Sequence, residues 1–197
     1  MSSNTSFTLS ANPGTDIWRK PPGTDIWNAP ISATHTQTGP LKSFRSARIT
    51  FSARWSERYD QAGLLLVPRP STSTSVPPAK WVKTGIEFYQ GTPQFSTVGC
   101  DRYADWSISP GSGRGGEGEE VTVEVVREGD EHGRSIWIYH VGEEGKRTPL
   151  REITWFLADE DGEEDWVLDV SPLVARPEKN AEGELVVEFR DFEVVWG

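Results

Sequence analysis

The segment Trp81–Ser107, WVKTGIEFYQGTPQFSTVGCDRYADWS, constrains the fold more than any other part of the chain. It reads as three short strands with a Gly–Pro turn among them. In the first strand Val82, Ile86 and Phe88 share one parity, while Trp81, Lys83, Glu87 and Tyr89 share the other. Successive side chains of a strand point to opposite faces, so the second set lines one surface. An aromatic–Lys–Glu–aromatic row is out of place in an aliphatic core and suits the floor of a groove for a polar ligand. The plainer alternative is a solvated sheet face on which Lys83 and Glu87 pair with cross-strand charges.

The same period of two recurs along the chain. Ala47, Ile49, Phe51, Ala53 and Trp55 alternate with polar residues, as in a half-buried strand. Gln61–Val67 is a continuous apolar run, expected of a strand covered on both sides. Val121, Val123 and Val125 alternate with Thr122 and Glu124, and Ile136 and Ile138 alternate with Trp137 and Tyr139. Ile153, Trp155 and Leu157 share a face within a strand expected over Arg151–Ala158. Near the end, Leu185, Val187 and Phe189 give way to Phe192, Val194 and Trp196, and the parity change at Arg190–Asp191 predicts a β-bulge. No segment carries a sustained helical stripe, so the chain reads as all-β, a two-sheet sandwich or a barrel. The expected core is Ile49, Phe51, Leu64, Leu66, Ile86, Val98, Val123, Ile138 and Val187.

Turn-rich segments separate the strands: Pro68–Lys80, the glycine-rich Pro110–Glu120, and the acidic Asp159–Asp165, read as a solvated hairpin tip. None divides the chain into separate cores, so residues 1–197 are expected to form one domain, with 1–40 an extended segment packed on it. That segment repeats PGTDIW at Pro13–Trp18 and Pro22–Trp27. Each copy is expected to lay an Ile-Trp pair on the body of the domain, and Trp18 or Trp27 is a candidate to close one end of the groove. Pro21, Pro22 and Pro30 exclude a central strand there.

Thirty acidic against twenty basic residues give a net charge of −10 over 197 residues. Nucleic acid and anionic membrane both demand a basic face, so neither is expected as a partner. Cys100 is the one cysteine, so no internal disulfide is possible. With no apolar leader-like run at the N-terminus, the sequence is expected to work in a reducing, cytoplasmic setting. Cys100 itself is read as a small packing residue. His35, His132 and His140 have no metal-ligand spacing, the acidic run lacks the pattern of a calcium loop, and no phosphate-binding, dinucleotide or nucleophile-elbow motif occurs. No cofactor and no metal are expected.

Nine tryptophans are many for a chain of this length, and aromatic rings suit sugars because the C–H face of a pyranose stacks on them while its hydroxyls need polar partners. Trp81, Tyr89 and Trp106 are therefore candidates for stacking, and Lys83, Glu87 and Asp105 for bonding hydroxyls or a carboxylate. Trp137 and Tyr139 join them if their strand neighbours the first in one sheet. Catalysis on a glycosidic bond needs two carboxyls at a defined separation, for which Glu87 and Asp105 are candidates, although their spacing specifies no pair.

The series TDIWRKPP, YDQAGLLL, WVKTGIEF, FSTVGCDRYADWS and ELVVEFRDFEVVW resembles a fungal and bacterial domain-of-unknown-function family that includes the regulation-of-enolase protein. The resemblance runs from about Thr15 to Trp196 and is most specific at Trp81, Lys83, Gly85, Glu87, Asp105, Trp106 and Ser107. It implies a concanavalin A-like jelly roll of two antiparallel sheets, with the Lys83/Glu87 strand on the concave side, and implies no settled activity. The Glu-x-Asp-x-x-Glu strand of the glucanase branch is absent. The leading expectation is a cytosolic protein that binds a small saccharide or sugar acid in a concave groove. The alternatives are a non-catalytic regulatory protein with a protein partner, and a sugar-active enzyme using Glu87 with Asp105 or Lys83.

Overall fold

A computed structural model describes residues 6–111, 118–162 and 165–197. The strands, in chain order, are β1 (Phe7–Ala11), β2 (Ile17–Lys20), β3 (Thr24–Trp27), β4 (Gln37–Pro40), β5 (Phe44–Ala53), β6 (Gln61–Pro70) and β7 (Trp81–Tyr89). They continue with β8 (Thr92–Cys100), β9 (Ala104–Pro110), β10 (Val121–Asp130), β11 (Gly133–Val141), β12 (Arg147–Ile153), β13 (Trp166–Ala175) and β14 (Leu185–Trp196). Two six-stranded antiparallel sheets, ordered β1-β14-β5-β10-β11-β12 and β4-β13-β6-β7-β8-β9, stack as a jelly-roll sandwich. Among the described residues helix is confined to two single 3₁₀ turns.

Alternation explains the packing. Ile49 and Phe51 of β5, Leu64 and Leu66 of β6, Ile86 of β7, Val123 of β10, Ile138 of β11 and Val187 of β14 all enter one buried cluster between the sheets. Val98 does not. It lies on the other face of the second sheet, in a smaller cluster with Ile17, Leu65, Trp81, Cys100 and Leu173. That cluster exists because the duplicated PGTDIW segment folds into a β2–β3 hairpin, outside both large sheets, that straps across this face. The run Gln61–Val67 is accordingly buried on both sides, Leu64 and Leu66 inward and Leu65 and Val67 under the strap.

The bulge in β14 is real: the register with β5 shifts between Arg190 and Glu193, and Asp191 adopts φ 52°. Two expectations need correction. β12 ends at Ile153, and the chain then turns, with Ala158 N–H bonding Trp155 O and Glu160 N–H bonding Leu157 O. Adjacent Phe156 and Leu157 are both buried, which a strand with one solvated face cannot achieve. The acidic run is also no freely solvated tip. Asp159 pairs with Lys80, and Asp161 pairs with Arg134. Glu160, with a side chain 3% exposed, is bonded by Arg127. Residues 163–164 of this run, and 112–117 of the glycine-rich segment, lie outside the described residues.

Candidate functional site

The face of the second sheet that turns away from the core carries a groove of about 650 Å³. Its floor follows from the parity of three paired strands. Lys83 of β7 sits opposite Leu65 of β6 and Val98 of β8, and Val98 sits opposite Trp106 of β9. Lys83, Glu87 and Trp106 therefore share one face. Between Lys83 and Glu87 the floor carries no side chain, because Gly85 directly faces Gly63. A Cβ on Gly85 would lie 1.9 Å from the carbonyl oxygen of Ala62, and one on Gly63 would lie 2.1 Å from that of Thr84. Only glycine permits so close an approach of the two strands.

Glu87 is buried, yet it borders the groove. Its Oε2 accepts hydrogen bonds from Ser96 Oγ at 2.7 Å and Trp106 Nε1 at 2.9 Å. No bond among the described residues falls on Oε1, which leaves an acceptor in the groove wall. Burial pushes the Glu87 carboxyl above the ordinary carboxylate range. The Lys83 charge and the two hydrogen bonds oppose that rise, and Asp16 adds to it. Lys83 Nζ donates to Asp16 Oδ1 at 2.9 Å and lies 6.0 Å from the Trp18 ring. Asp16 is fixed by its position at the base of the strap, where its backbone N–H donates to Asn28 Oδ1 and its carboxylate accepts from Ile17 N–H. At one side Tyr59 stacks on Tyr89 at 5.6 Å, and Trp106 meets Tyr89 edge-on at 5.2 Å. The remaining wall is residues 177–180.

Of the sequence candidates, Lys83, Glu87 and Trp106 line this groove, and Tyr89 packs behind its wall on Tyr59 and Trp106. Trp81 belongs to the same face but is 1% exposed, covered by the strap with Trp27 at 6.3 Å. Its role is packing. Asp105 points the opposite way from Trp106 and is largely exposed at the edge of the sandwich, where it pairs with Arg151 of the other sheet. A Glu87–Asp105 pair is therefore ruled out by the alternation of β9. Trp137 and Tyr139 lie on β11 of the first sheet, on its outer face, with Tyr139 Oη donating to Glu128. The condition that would have brought them to the groove is not met. Of the two strap tryptophans, Trp18 lines the groove and Trp27 packs on Trp81.

Asp16, Tyr59, Gln61 and Ser96 were not singled out from sequence. Ser96 was within reach, since the turn at Gly91 pairs Glu87 with Gln94 and so places Ser96 on the same face. Asp16 was signalled only by its place in the repeat. Nothing in the local pattern marked Tyr59 or Gln61. Also missed was the buried ion pair of Asp60 with Arg176, at 2.8 Å, which ties the loop before β6 to the segment after β13. Those two segments are the groove walls.

The family described as "Protein of unknown function (DUF1349)" matches residues 1–195. The chain belongs to the DUF1349 family. A relative, the uncharacterized protein AN7484 of Emericella nidulans, is 46% identical over 183 residues, spanning 93% of this chain and 82% of that protein. A solved structure of a functionally unknown protein from Saccharomyces cerevisiae aligns with a TM-score of 0.73 at 20% identity, over 100% of this chain and 92% of the other. The alginate lyase A1-II', of polysaccharide lyase family 7, aligns with a TM-score of 0.54 at 9% identity, over 98% and 79%. Both likenesses establish the jelly-roll architecture for this DUF1349 chain, and neither carries a residue role across.

Proposed function

We propose that this DUF1349 protein binds a saccharide or closely related sugar metabolite in the groove above Lys83 and Glu87. The observation that carries the reading is Glu87: a carboxyl 6% exposed, with one oxygen held by Ser96 and Trp106 and the other left as an acceptor in an aromatic-walled cavity. Burying such a group is costly unless its hydrogen-bonding capacity is used, and a hydroxyl donor from a ligand uses it. Trp18, Tyr59 and Trp106 supply apolar surfaces against which a sugar ring packs. The groove volume falls within the ~300–1,000 Å³ of small-molecule sites. A jelly-roll neighbour named for its action on alginate agrees with a saccharide. A cytosolic place of action belongs to the same proposal, supported by a sequence with one cysteine, which is buried.

Calorimetric titration with a panel of neutral and acidic mono- and oligosaccharides tests it. Binding below millimolar that is lost on removing a groove-lining indole, as in Trp18→Ala, supports the reading; a panel with no binder disposes of it. One observation favours a second reading, a sugar-active enzyme. The raised carboxyl of Glu87 beside Lys83 has the make-up of a proton donor. Turnover of the bound sugar, followed by reducing-end release and by ultraviolet absorbance of an unsaturated product, separates enzyme from binder.

A further inference from the structure

The strap divides the outer face of the second sheet into two compartments. On one side is the Lys83–Glu87 groove. On the other is a separate concavity of about 550 Å³ over Leu65 and Val67, bordered by Trp27, Arg69 and the 71–78 loop. The two copies of PGTDIW thus place one indole in each compartment, Trp18 in the first and Trp27 in the second. The strap is built into the fold. Its Ile17 is fully buried against the sheet, its Trp27 packs on Trp81, and its Arg19 donates to the carbonyls of Ala79 and Pro78 at 2.8 and 2.9 Å. A chain laid along the sheet face would have to displace this buried cluster. The groove therefore ends blind against the strap.

Charge is sorted within it. The floor holds Lys83 against Asp16 and Glu87. The mouth holds Lys20, Arg58 and Lys179, all exposed, against Glu178. Arg58 and Glu178 stand 3.9 Å apart across the opening, leaving Lys20 and Lys179 as cations in excess. In a chain of net charge −10 the mouth is a local reversal of sign, which draws in an anion. The floor, by contrast, offers carboxylate acceptors to neutral donors.

We infer that the groove takes one acidic saccharide unit, free or at the end of a short chain. Its hydroxyl-bearing ring lies over the floor carboxylates, its own carboxylate meets Lys20 and Lys179 at the mouth, and a polysaccharide running across the sheet is excluded. This rests on the saccharide reading. The probes are galacturonate, glucuronate and mannuronate, their neutral aldoses, and a galacturonate series from monomer to hexamer with intact and sheared polymer.

The preferred hexuronate should bind at least about tenfold more tightly than its aldose. Affinity should change less than about threefold from monomer to hexamer, and polymer binding should rise with the number of chain ends. The double substitution Lys20→Ala/Lys179→Ala should erase the preference for the uronate. Independently of any variant, raising salt from about 20 to about 300 mM should weaken uronate binding several-fold and leave the aldose unaffected, because exposed charges are screened. Affinity that climbs with every added unit, or equal affinity for uronate and aldose, overturns the inference while leaving saccharide binding standing. If no sugar of either kind binds to folded protein, both fall together.

Discussion

Two of the charged sets around the groove, one centred on buried Asp60 and Arg176 and one on buried Lys83 and Glu87, are finished differently. Asp60 accepts four bonds: from Arg176 Nε at 2.9 Å and Nη2 at 2.8 Å, and from the backbone N–H groups of Ser56 and Glu57. Arg176 spends its other donors on the carbonyls of Glu182 and Gly183 and on Ser56 Oγ. The network is closed on itself. The set built from Asp16, Lys83 and Glu87 is open: Glu87 has an oxygen without a donor, and all three residues border the groove. A closed network rigidifies what it touches, whereas an open one keeps binding capacity for something outside the fold. The first holds the walls and the second faces the space between them.

The sharpest way to break this contrast is to cut the closed network. Arg176→Met leaves the Asp60 carboxylate buried without its partner and should cost about 3–5 kcal/mol in urea unfolding. The double change Asp60→Leu/Arg176→Met should recover much of that loss, since an apolar pair has no charge to desolvate. Ligand binding should weaken in both, because the walls lose their tie. A single-variant cost near zero would show that Asp60 and Arg176 are not the clamp.

Next in size is a core benchmark free of charge. Ile86 is 1% exposed and points between the sheets, one residue from Glu87 on the same strand. Ile86→Ala should lower stability by about 2–5 kcal/mol through the cavity it leaves. Binding measured well below the melting temperature should be little changed. Coupled losses of both would mean that the two faces of β7 do not act separately.

Glu87→Gln tests the open set directly. The amide keeps the shape, so the fold should survive while saccharide binding weakens by about 1.5–3 kcal/mol. The pH dependence has a definite sign. Burial, only partly offset by Lys83 and the Ser96 and Trp106 bonds, raises the folded-state carboxyl above its ordinary value. Folded protein then holds the proton more firmly than unfolded protein. Glu87's contribution is fully present below the unfolded value and is lost as pH rises through the folded one. Urea midpoints of the wild type should fall across that window relative to Glu87→Gln. Parallel pH profiles would deny the raised carboxyl.

What was legible in the sequence divides along the same line. Strands β5–β11 and β14, the inward residues other than Val98, and the shared face of Lys83 and Glu87 follow from a period of two, which is local and survives any arrangement of strands; β1–β4 and β13 carry no such signal. The bulge at Arg190–Asp191 was readable for the same reason. Which strands become neighbours is not local. Trp137 and Tyr139 carry the right chemistry on the wrong sheet, and Asp105 fails by one residue of parity relative to Trp106. Trp81 is covered by a hairpin some sixty residues earlier in the chain, and nothing in its own strand reveals that. Asp60 and Arg176 are 116 residues apart, and neither has a neighbour that announces the other.

The smallest expected effect lies outside both buried sets, on the far face of the first sheet. Tyr139 Oη donates to Glu128 Oε1 at 2.7 Å, and Arg147 lies 5.7 Å from its ring. Partial burial and the Glu128 carboxylate push its ionisation up to about 12. Tyr139→Phe removes one hydrogen bond at a half-buried position and should cost about 0.5–1.5 kcal/mol. It should not alter saccharide affinity, because β11 and the groove belong to different sheets. Ultraviolet titration should show one phenol fewer ionising at the top of the range. A Tyr139→Phe variant that loses sugar binding would move the site to the opposite face and undo the division of labour between the two buried sets.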